Sequence, residues 1–132
     1  MTKARDKLFE ELRRLSPNVT GGLLRMRQAT FRDGHVPAKY KLLAAIAISI
    51  AIRCESCIRG YVRMAAERSM TEEELLEFLN VAMTMQGCPG EEWALKAYAA
   101  YKEVIDELQP DKHAACCVHG IPGNKVQRGD EA

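Results

Sequence analysis

The sequence has no long apolar run, no excess of charge of one sign and no dense set of cysteines. Its longest mostly apolar stretch, residues 42–52, is eleven residues long, whereas a membrane-spanning helix needs about 20. The charged start of the chain also lacks the apolar segment of a signal peptide. We therefore expect a cytoplasmic protein with no membrane partner.

Charge balance and cysteine content exclude two further classes of protein. The 19 basic and 18 acidic side chains leave a formal net charge of +1, so the electrostatic signature of a nucleic-acid-binding protein is missing. Five cysteines in 132 residues are fewer than the roughly 8–10% typical of a secreted disulfide scaffold. In a cytosolic protein, cysteines more often carry redox chemistry or bind metal than stabilise the fold.

Hydrophobic residues make up 47% of the chain, which is enough for the core of one domain. They recur at helical spacing nearly throughout, and no segment alternates convincingly in the way a strand does. The pattern predicts a single six-helix all-α domain over residues 1–109. A polar C-terminal tail follows over residues 110–132, and we expect it to be mobile unless something holds it.

Local signals mark the ends of several helices. Asn18 and Thr20 are candidate caps for the second helix, and Gly34 is expected to end it. Thr71 and Glu74 form a capping box, in which each side chain accepts a hydrogen bond from a backbone N–H. This box predicts the start of the fifth helix.

The segment over residues 38–53 is apolar on nearly all faces after its first turn. A helix of this kind in a water-soluble protein is central, and it is buried by several neighbours or by another subunit. A domain of this size offers only five other helices as cover. We therefore expect the chain to assemble into a homo-oligomer.

The strongest chemical motif is the pair Cys54 and Cys57. It lies where the apolar helix ends and an amphipathic helix begins, so both sulfurs can meet on one face at a helix N-terminus. Unpaired N–H groups and the positive end of the helix dipole favour the thiolate there, and Arg53 and Arg59 add positive charge. The arrangement is typical of a dithiol that exchanges with disulfides. The alternative is two buried, inert side chains.

A zinc-binding module is the second chemical interpretation. Structural zinc takes four ligands, usually from two such pairs, and the remaining candidates in the tail are His113, Cys116, Cys117 and His119. Their spacing is not that of a zinc knuckle, so we favour a solvated tail and predict no metal site. Cys116 or Cys117 is an alternative resolving thiol for the pair, and Cys88 is interpreted as a packing residue.

Several motifs, in this order, resemble the AhpD-like, carboxymuconolactone decarboxylase family. They are the segment 36–43 (VPAKYKLL), the apolar helix of residues 38–53, the segment 53–58 (RCESCI) and the capping box fourteen residues beyond Cys57. The similarity covers about residues 20–108. It implies an all-α fold and assembly into dimers, trimers or hexamers. In the AhpD branch it implies peroxiredoxin-type alkylhydroperoxidase or disulfide reductase activity.

The resemblance also implies roles for the two cysteines. Cys57 matches the cysteine that attacks the peroxide, and Cys54 matches the cysteine that resolves the resulting sulfenic acid as a disulfide. The implied partners are a peroxide or disulfide substrate and a thiol reductant that the sequence does not identify. No cofactor is part of this expectation.

Three positions depart from the family pattern. Tyr61 replaces a histidine four residues after the second cysteine, and Leu42 replaces a glutamate twelve residues before the first. The histidine and the glutamate form the proton relay that activates the thiol. The Tyr61 hydroxyl can donate a hydrogen bond to a thiolate, but a phenol is a poor base at neutral pH. Ser69 replaces a glycine, at a local conformational cost.

The missing relay leaves three interpretations open. The helix dipole and the nearby arginines sustain the activity with less help from a general base, or a base comes from elsewhere in space. In the third interpretation, the chain is a non-catalytic oligomeric binding or assembly protein, or a different thiol oxidoreductase, with the same fold. The candidates for a replacement base are His35, Glu67, Glu72 and Glu73.

Overall fold

The computed structural model describes residues 2–109, and this part of the chain contains six α-helices and no strand. The predicted all-α fold with six helices is confirmed. None of the helices in this range is long and apolar enough to cross a membrane. The helices are α1 (Thr2–Leu15), α2 (Thr20–Thr30), α3 (Ala38–Ala51), α4 (Glu55–Glu67), α5 (Glu72–Gln86) and α6 (Cys88–Leu108).

Helices α3 to α6 form the packed bundle, and α1 packs against α2. Within the bundle, α3 contacts each of the other three helices. Ion pairs join α4 to α6 along their length, and the residue numbers of the partners rise together, so the two helices run in the same direction. The pairs are Glu55–Lys96, Arg59–Glu103 and Arg63–Glu107.

Aliphatic side chains of α3 occupy the centre of the core. Leu42, Leu43, Ile46 and Ile50 are fully buried, because one face of α3 is enclosed by α4, α5 and α6. The opposite face is open, and Ile48 on it is 60% exposed. The prediction of a central helix is therefore confirmed for one face, and burial of the other by a second subunit stays a prediction.

The capping box at the start of α5 is confirmed. The Glu74 N–H donates to Thr71 Oγ1 at 3.1 Å, and the Thr71 N–H donates to Glu74 Oε2 at 3.0 Å. Lys39 Nζ lies 2.8 Å from Glu74 Oε1, and its hydrogen bond holds the pKa of the Glu74 carboxyl below its usual value. The box thus also connects α5 to the first turn of α3.

The predicted caps of α2 are wrong at both ends. Val19 is the residue at the N-cap and makes no side-chain cap hydrogen bond, while the Thr20 hydroxyl donates backwards to the Ser16 carbonyl at 2.6 Å. The helix ends at Thr30, four residues before Gly34. The physical reason is Lys41, whose Nζ donates to the carbonyls of Thr30 and Arg32 at 3.2 and 2.7 Å and so satisfies the helix end from α3.

Cys88 is exposed, so its interpretation as a packing residue is wrong. It is the first residue of α6, after Gly87 has turned the chain with a φ of 68°. The buried side of α6 begins with Gly90 and continues through Ala94 and Ala97. A residue two positions before Gly90 lies about 200° around the helix from it, and therefore on the solvent side.

Ser69 adopts the left-handed conformation that favours glycine, with a φ of 63°. A residue with a Cβ atom costs about 1 kcal/mol in the left-handed conformation. This agrees with the conformational cost expected for a serine at a position where the family has glycine. We predict that Ser69→Gly raises the free energy of unfolding by about 0.5–1 kcal/mol, after the larger entropy of glycine in the unfolded chain is subtracted.

The measurement for Ser69→Gly is thermal unfolding followed by circular dichroism. The melting temperature should rise by a few degrees, as expected for a domain of this size. Ser69→Ala is the matched control, because it removes the same hydroxyl but keeps the Cβ, and it should give no increase. A glycine variant that melts at or below the wild-type temperature would contradict the prediction.

Candidate redox site

The two cysteines of the predicted redox pair lie at the N-terminus of α4, as the sequence indicates. Cys54 is the N-cap residue and Cys57 is in the first turn. They are joined by a disulfide, with their Cα atoms 5.2 Å apart. Both residues are half-buried, so the pair is shielded on one side and accessible on the other.

A sharp reversal between α3 and α4 positions the pair. Arg53 takes up the left-handed conformation with a φ of 56°, and the Cys54 N–H then donates to the carbonyl of Ser49 at 3.0 Å. Ser49 is buried in α3, where its hydroxyl donates to the Ala45 carbonyl at 2.7 Å. The pair is therefore anchored to the most buried helix through one backbone hydrogen bond.

The helix start supplies the electrostatic environment of the pair. The first N–H groups of α4 have no carbonyl partner within the helix, and the positive end of its dipole points at the cysteines. Arg59 contributes less positive charge than the sequence suggests, because its guanidinium pairs with Glu103 at 2.7 Å and with Glu55 at 3.9 Å. Lys96 also lies 3.6 Å from Glu55. The acidic first turn is thus largely compensated.

Ser56 is a neighbour of the pair that the sequence analysis missed. Its Oγ lies 3.6 Å from Cys54 Sγ, within the range of a hydrogen bond to sulfur. A signal was present, since Ser56 stands between the two cysteines. In the reduced state its hydroxyl can donate to a Cys54 thiolate.

Tyr61 lies one helical turn beyond Cys57 on the same helix, where the relay histidine of the family would stand. Its ring contacts Phe31 at a centroid distance of 5.2 Å, with the planes tilted by 56°. Within residues 2–109 its hydroxyl has no hydrogen-bond partner, and the side chain is half-buried. The hydroxyl is therefore free to donate to a substrate or a thiolate.

The relay glutamate has no counterpart at its expected position. Leu42 stands there instead, and its side chain on α3 is fully buried in the core, with 0% of its surface accessible to solvent. A proton acceptor is absent from this site because the position is part of the packed bundle. The relay that the family resemblance implies therefore lacks its glutamate.

The four candidate replacement bases are not connected to the cysteines in the described part of the chain. His35 is exposed between α2 and α3, Glu67 ends α4 and Glu73 is exposed in the first turn of α5. No hydrogen bond or ion pair within residues 2–109 joins any of them to the pair.

Glu72, the fourth candidate, is already engaged between α5 and α6. It accepts hydrogen bonds from Lys102 Nζ at 2.7 Å and from the Tyr98 hydroxyl at 2.6 Å. These contacts, the lysine first, lower the pKa of the Glu72 carboxyl. A carboxylate with a lowered pKa is a weaker base, so this residue is a poor replacement for the relay.

The described residues contain no group of three or more side chains that could hold a metal ion. The tail cluster of the zinc interpretation lies outside residues 2–109, and so do Cys116 and Cys117, the alternative resolving thiols. Cys54 and Cys57 lie at a helix N-terminus and are half-buried. Their catalytic roles stay predictions.

The sequence is similar to known proteins over most of the bundle. The model of the carboxymuconolactone decarboxylase family matches residues 17–100. An uncharacterised protein of Cupriavidus necator is 29% identical over 96 residues, which covers 73% of this chain and 85% of that protein. Uncharacterised protein 4 in the cox locus of Paracoccus denitrificans is 30% identical over 98 residues, which covers 74% and 85%.

Two solved structures have the same fold. A carboxymuconolactone decarboxylase family protein of Legionella pneumophila, in its apo form, has a TM-score of 0.74 and 32% identity, covering 78% of this chain and 92% of that one. A family member from Thermotoga maritima, described as a candidate for a role in antioxidative response, has a TM-score of 0.72 and 25% identity, covering 83% and 92%. Because the family match spans more than half of the sequence and the fold agrees, this chain belongs to the carboxymuconolactone decarboxylase family.

Proposed function

We propose that this chain is a thiol-dependent peroxidase or disulfide oxidoreductase that works through Cys54 and Cys57. The observation that carries the proposal is the disulfide between them at the N-terminus of α4. A helix N-terminus stabilises a thiolate, which is the reactive form of cysteine. The half-buried position leaves access for a small substrate. The description of the Thermotoga maritima neighbour as a candidate for antioxidative response supports the same chemistry.

The peroxidase reaction begins with the reduced pair. The Cys57 thiolate attacks one peroxide oxygen, the O–O bond breaks, and the alcohol or water leaves after taking up a proton. Cys57 is now a sulfenic acid. The Cys54 thiolate attacks its sulfur, the disulfide forms and a water molecule leaves. The pair has supplied two electrons, and an external thiol reductant returns them.

In this proposal, hydrogen bonds from nearby hydroxyls stabilise the thiolates in place of the missing relay, but only in part. Ser56 Oγ can donate to the Cys54 sulfur, from which it lies 3.6 Å away. The Tyr61 hydroxyl can donate to the Cys57 thiolate or to the leaving oxygen. Neither hydroxyl is a good base at neutral pH, so the helix dipole has the larger part in keeping Cys57 ionised.

Titration of free thiols tests the proposed function. The protein is reduced, freed of reductant and treated with one equivalent of hydrogen peroxide, and alkylated peptides are then mapped by mass spectrometry. Cys54 and Cys57 should both be lost to alkylation and recovered as one disulfide. A pair that stays reduced while peroxide remains in solution would overturn the proposal.

A non-catalytic assembly protein is the second candidate function, and exposed apolar side chains favour it. Leu8, Leu12 and Leu15 on α1 are 65%, 48% and 70% exposed, so this helix shows an apolar face to solvent. A Cys57 thiol that titrates like a free cysteine, with a pKa of about 8.5, together with no peroxide consumption, would favour this candidate over the first.

We also propose that the chain forms a homo-oligomer through the open face of α3. Tyr40, Ala44 and Ile48 recur at a spacing of four residues on that face and are all exposed, and an apolar stripe of this kind is typical of subunit contacts. We predict that Ile48→Glu dissociates the assembly, because it places a charge in the contact.

Sedimentation velocity measures this effect directly. The wild-type protein should sediment as a species heavier than the monomer, and Ile48→Glu should sediment as the monomer. Ile48→Val is the matched control that keeps the surface apolar, and it should sediment like the wild type. A wild-type monomer at micromolar concentration would refute the proposed oligomer.

A further inference from the structure

A cleft of about 490 Å³ separates α2 from the second half of α4. Apolar side chains from both helices line it, namely Leu24, Phe31 and Met64, and three arginines stand around it, namely Arg27, Arg32 and Arg68. An apolar cavity with a few charged groups at its rim is the usual form of a site for a small ligand.

The arginines of this cleft are not neutralised by the protein. Within residues 2–109, Arg27, Arg32 and Arg68 have no ion pair. The one acidic side chain in the lining, Asp33, accepts a hydrogen bond at 2.8 Å from the N–H of Ala38, the first residue of α3. The cleft therefore has an excess of positive charge.

The excess of positive charge is confined to the side of α4 that faces α2, because the arginines on its other side are paired. Arg59 and Arg63 point towards α6, and they pair with Glu103 and Glu107. Arg68, on the side facing α2, has no such partner. An anionic group from outside the protein is the complement that this face lacks.

The α4 side of the cleft and Cys57 lie on the same face of that helix. Four residues at successive spacings of four, three and four lie on one stripe of the helix, namely Cys57, Tyr61, Met64 and Arg68. Phe31, from the cleft lining, contacts the Tyr61 ring. Arg68 is eleven residues beyond Cys57, or about 16 Å along the helix axis.

We propose that this cleft binds the acyl chain and the carboxylate of a fatty-acid hydroperoxide and presents its peroxide to Cys57. The proposal rests on the proposed function and names the substrate class of the same site. The carboxylate pairs with Arg68 and Arg27, since the planar guanidinium matches carboxylate geometry. The acyl chain lies on Leu24, Phe31 and Met64.

This substrate reacts in the same two steps as hydrogen peroxide, and the leaving alcohol is the hydroxy fatty acid. Cys57 takes the terminal oxygen, the O–O bond breaks and the hydroxy fatty acid leaves with a proton. Formation of the disulfide with Cys54 releases water, and dithiothreitol serves as the reductant in the assay. A separation of 16 Å cannot be spanned by hydrogen peroxide, so small peroxides gain nothing from the arginines.

The experiment compares kcat/KM for linoleic acid hydroperoxide with kcat/KM for cumene hydroperoxide, which is neutral. The ratio should fall by about tenfold or more in the double variant Arg27→Gln/Arg68→Gln, as expected when charge-assisted hydrogen bonds are lost, and through KM more than kcat. The double variant Arg27→Lys/Arg68→Lys, which keeps the charges, should have a ratio between those of the wild type and the glutamine double variant. Arg63→Gln, a matched loss of charge on the other face of α4, should leave the ratio unchanged. A ratio that is equal in wild type and double variant overturns the proposal.

Binding of laurate to the oxidised protein, followed by isothermal titration calorimetry below the micelle concentration, separates this proposal from the proposed function. Laurate binding that the double variant weakens, with no reaction of any peroxide, supports the cleft as a fatty-acid site and overturns the proposed function. Peroxide turnover without laurate binding overturns the cleft proposal and leaves the proposed function in place. If the double variant changes the sedimentation coefficient and laurate does not bind, the cleft is a contact between copies and the proposal is also overturned.

Discussion

Cys57→Ser is expected to abolish the peroxide-driven loss of the two thiols at the N-terminus of α4. The reason is that a thiolate attacks the peroxide, and a serine hydroxyl is not ionised at neutral pH. Without this step no sulfenic acid forms, and Cys54 has no electrophile to attack. The expected result is no measurable turnover with hydrogen peroxide and dithiothreitol, which corresponds to a rate reduced by at least about two orders of magnitude.

Cys54→Ser separates the two roles that the family resemblance implies. In this variant Cys57 should still react once with peroxide and then stop as a sulfenic acid, because the resolving thiol is missing. Dimedone labelling followed by mass spectrometry should find the adduct on Cys57. The same label on Cys54 of the Cys57→Ser variant would show that the roles are reversed.

Cys88→Ser is the control for both variants, because Cys88 is an exposed thiol outside the disulfide. Its replacement should remove one alkylated peptide and leave the turnover unchanged. A Cys57→Ser protein that consumes peroxide at the wild-type rate would contradict the assignment of the nucleophile, and with it the proposed function.

Leu42→Glu is expected to lower the free energy of unfolding by about 3–5 kcal/mol. The substitution puts back the glutamate that the AhpD pattern carries at this position, but Leu42 is fully buried between α3 and its neighbours. A carboxylate without a partner in such a place is penalised by lost hydration. Since a whole domain of this kind is stable by only about 5–15 kcal/mol, the variant should be close to unfolding.

The penalty should depend on pH in a defined direction. Burial without a partner raises the pKa of the introduced carboxyl in the folded state above its value in the unfolded chain. The folded state then binds more protons than the unfolded state between the two pKa values, so stability falls as the pH rises through this window. Urea unfolding at pH 4 should show a smaller deficit relative to wild type than at pH 7.

Leu42→Met is the matched control, since it keeps the volume and polarity of the side chain, and it should cost less than about 1.5 kcal/mol. The combination Leu42→Glu/Tyr61→His tests whether the two relay positions meet in this fold. If they do, the double variant will be more stable than the sum of the single effects predicts. A Leu42→Glu protein as stable as the wild type would show that the position is not enclosed.

The features that the sequence predicted correctly depend on residues close together in the chain. The capping box of Thr71 and Glu74 joins residues three apart, and the pair Cys54 and Cys57 has the same spacing. The helices themselves follow from apolar residues that recur every three or four positions. Such patterns reflect contacts within one or two turns of a helix, so they can be predicted from the sequence alone.

The features that it missed depend on residues far apart. The end of α2 is set by Lys41, eleven residues beyond Thr30, and no local signal near Gly34 reveals this. The charge of Arg59 is balanced by Glu103, forty-four residues away. The three arginines of the cleft come from different segments, and their lack of partners is a property of the packed helices.

The sequence by itself determined the all-α class, the six helices, the position of the dithiol at a helix start and the family to which the chain belongs. Only the tertiary structure decided that one face of α3 is enclosed and the other open. It also decided that Leu42 lies in the core, that Glu72 is held by Lys102 and that unpaired arginines line a cleft between α2 and α4. The physical reason is that helix formation is governed by neighbouring residues, whereas burial and ion pairing depend on which helices meet.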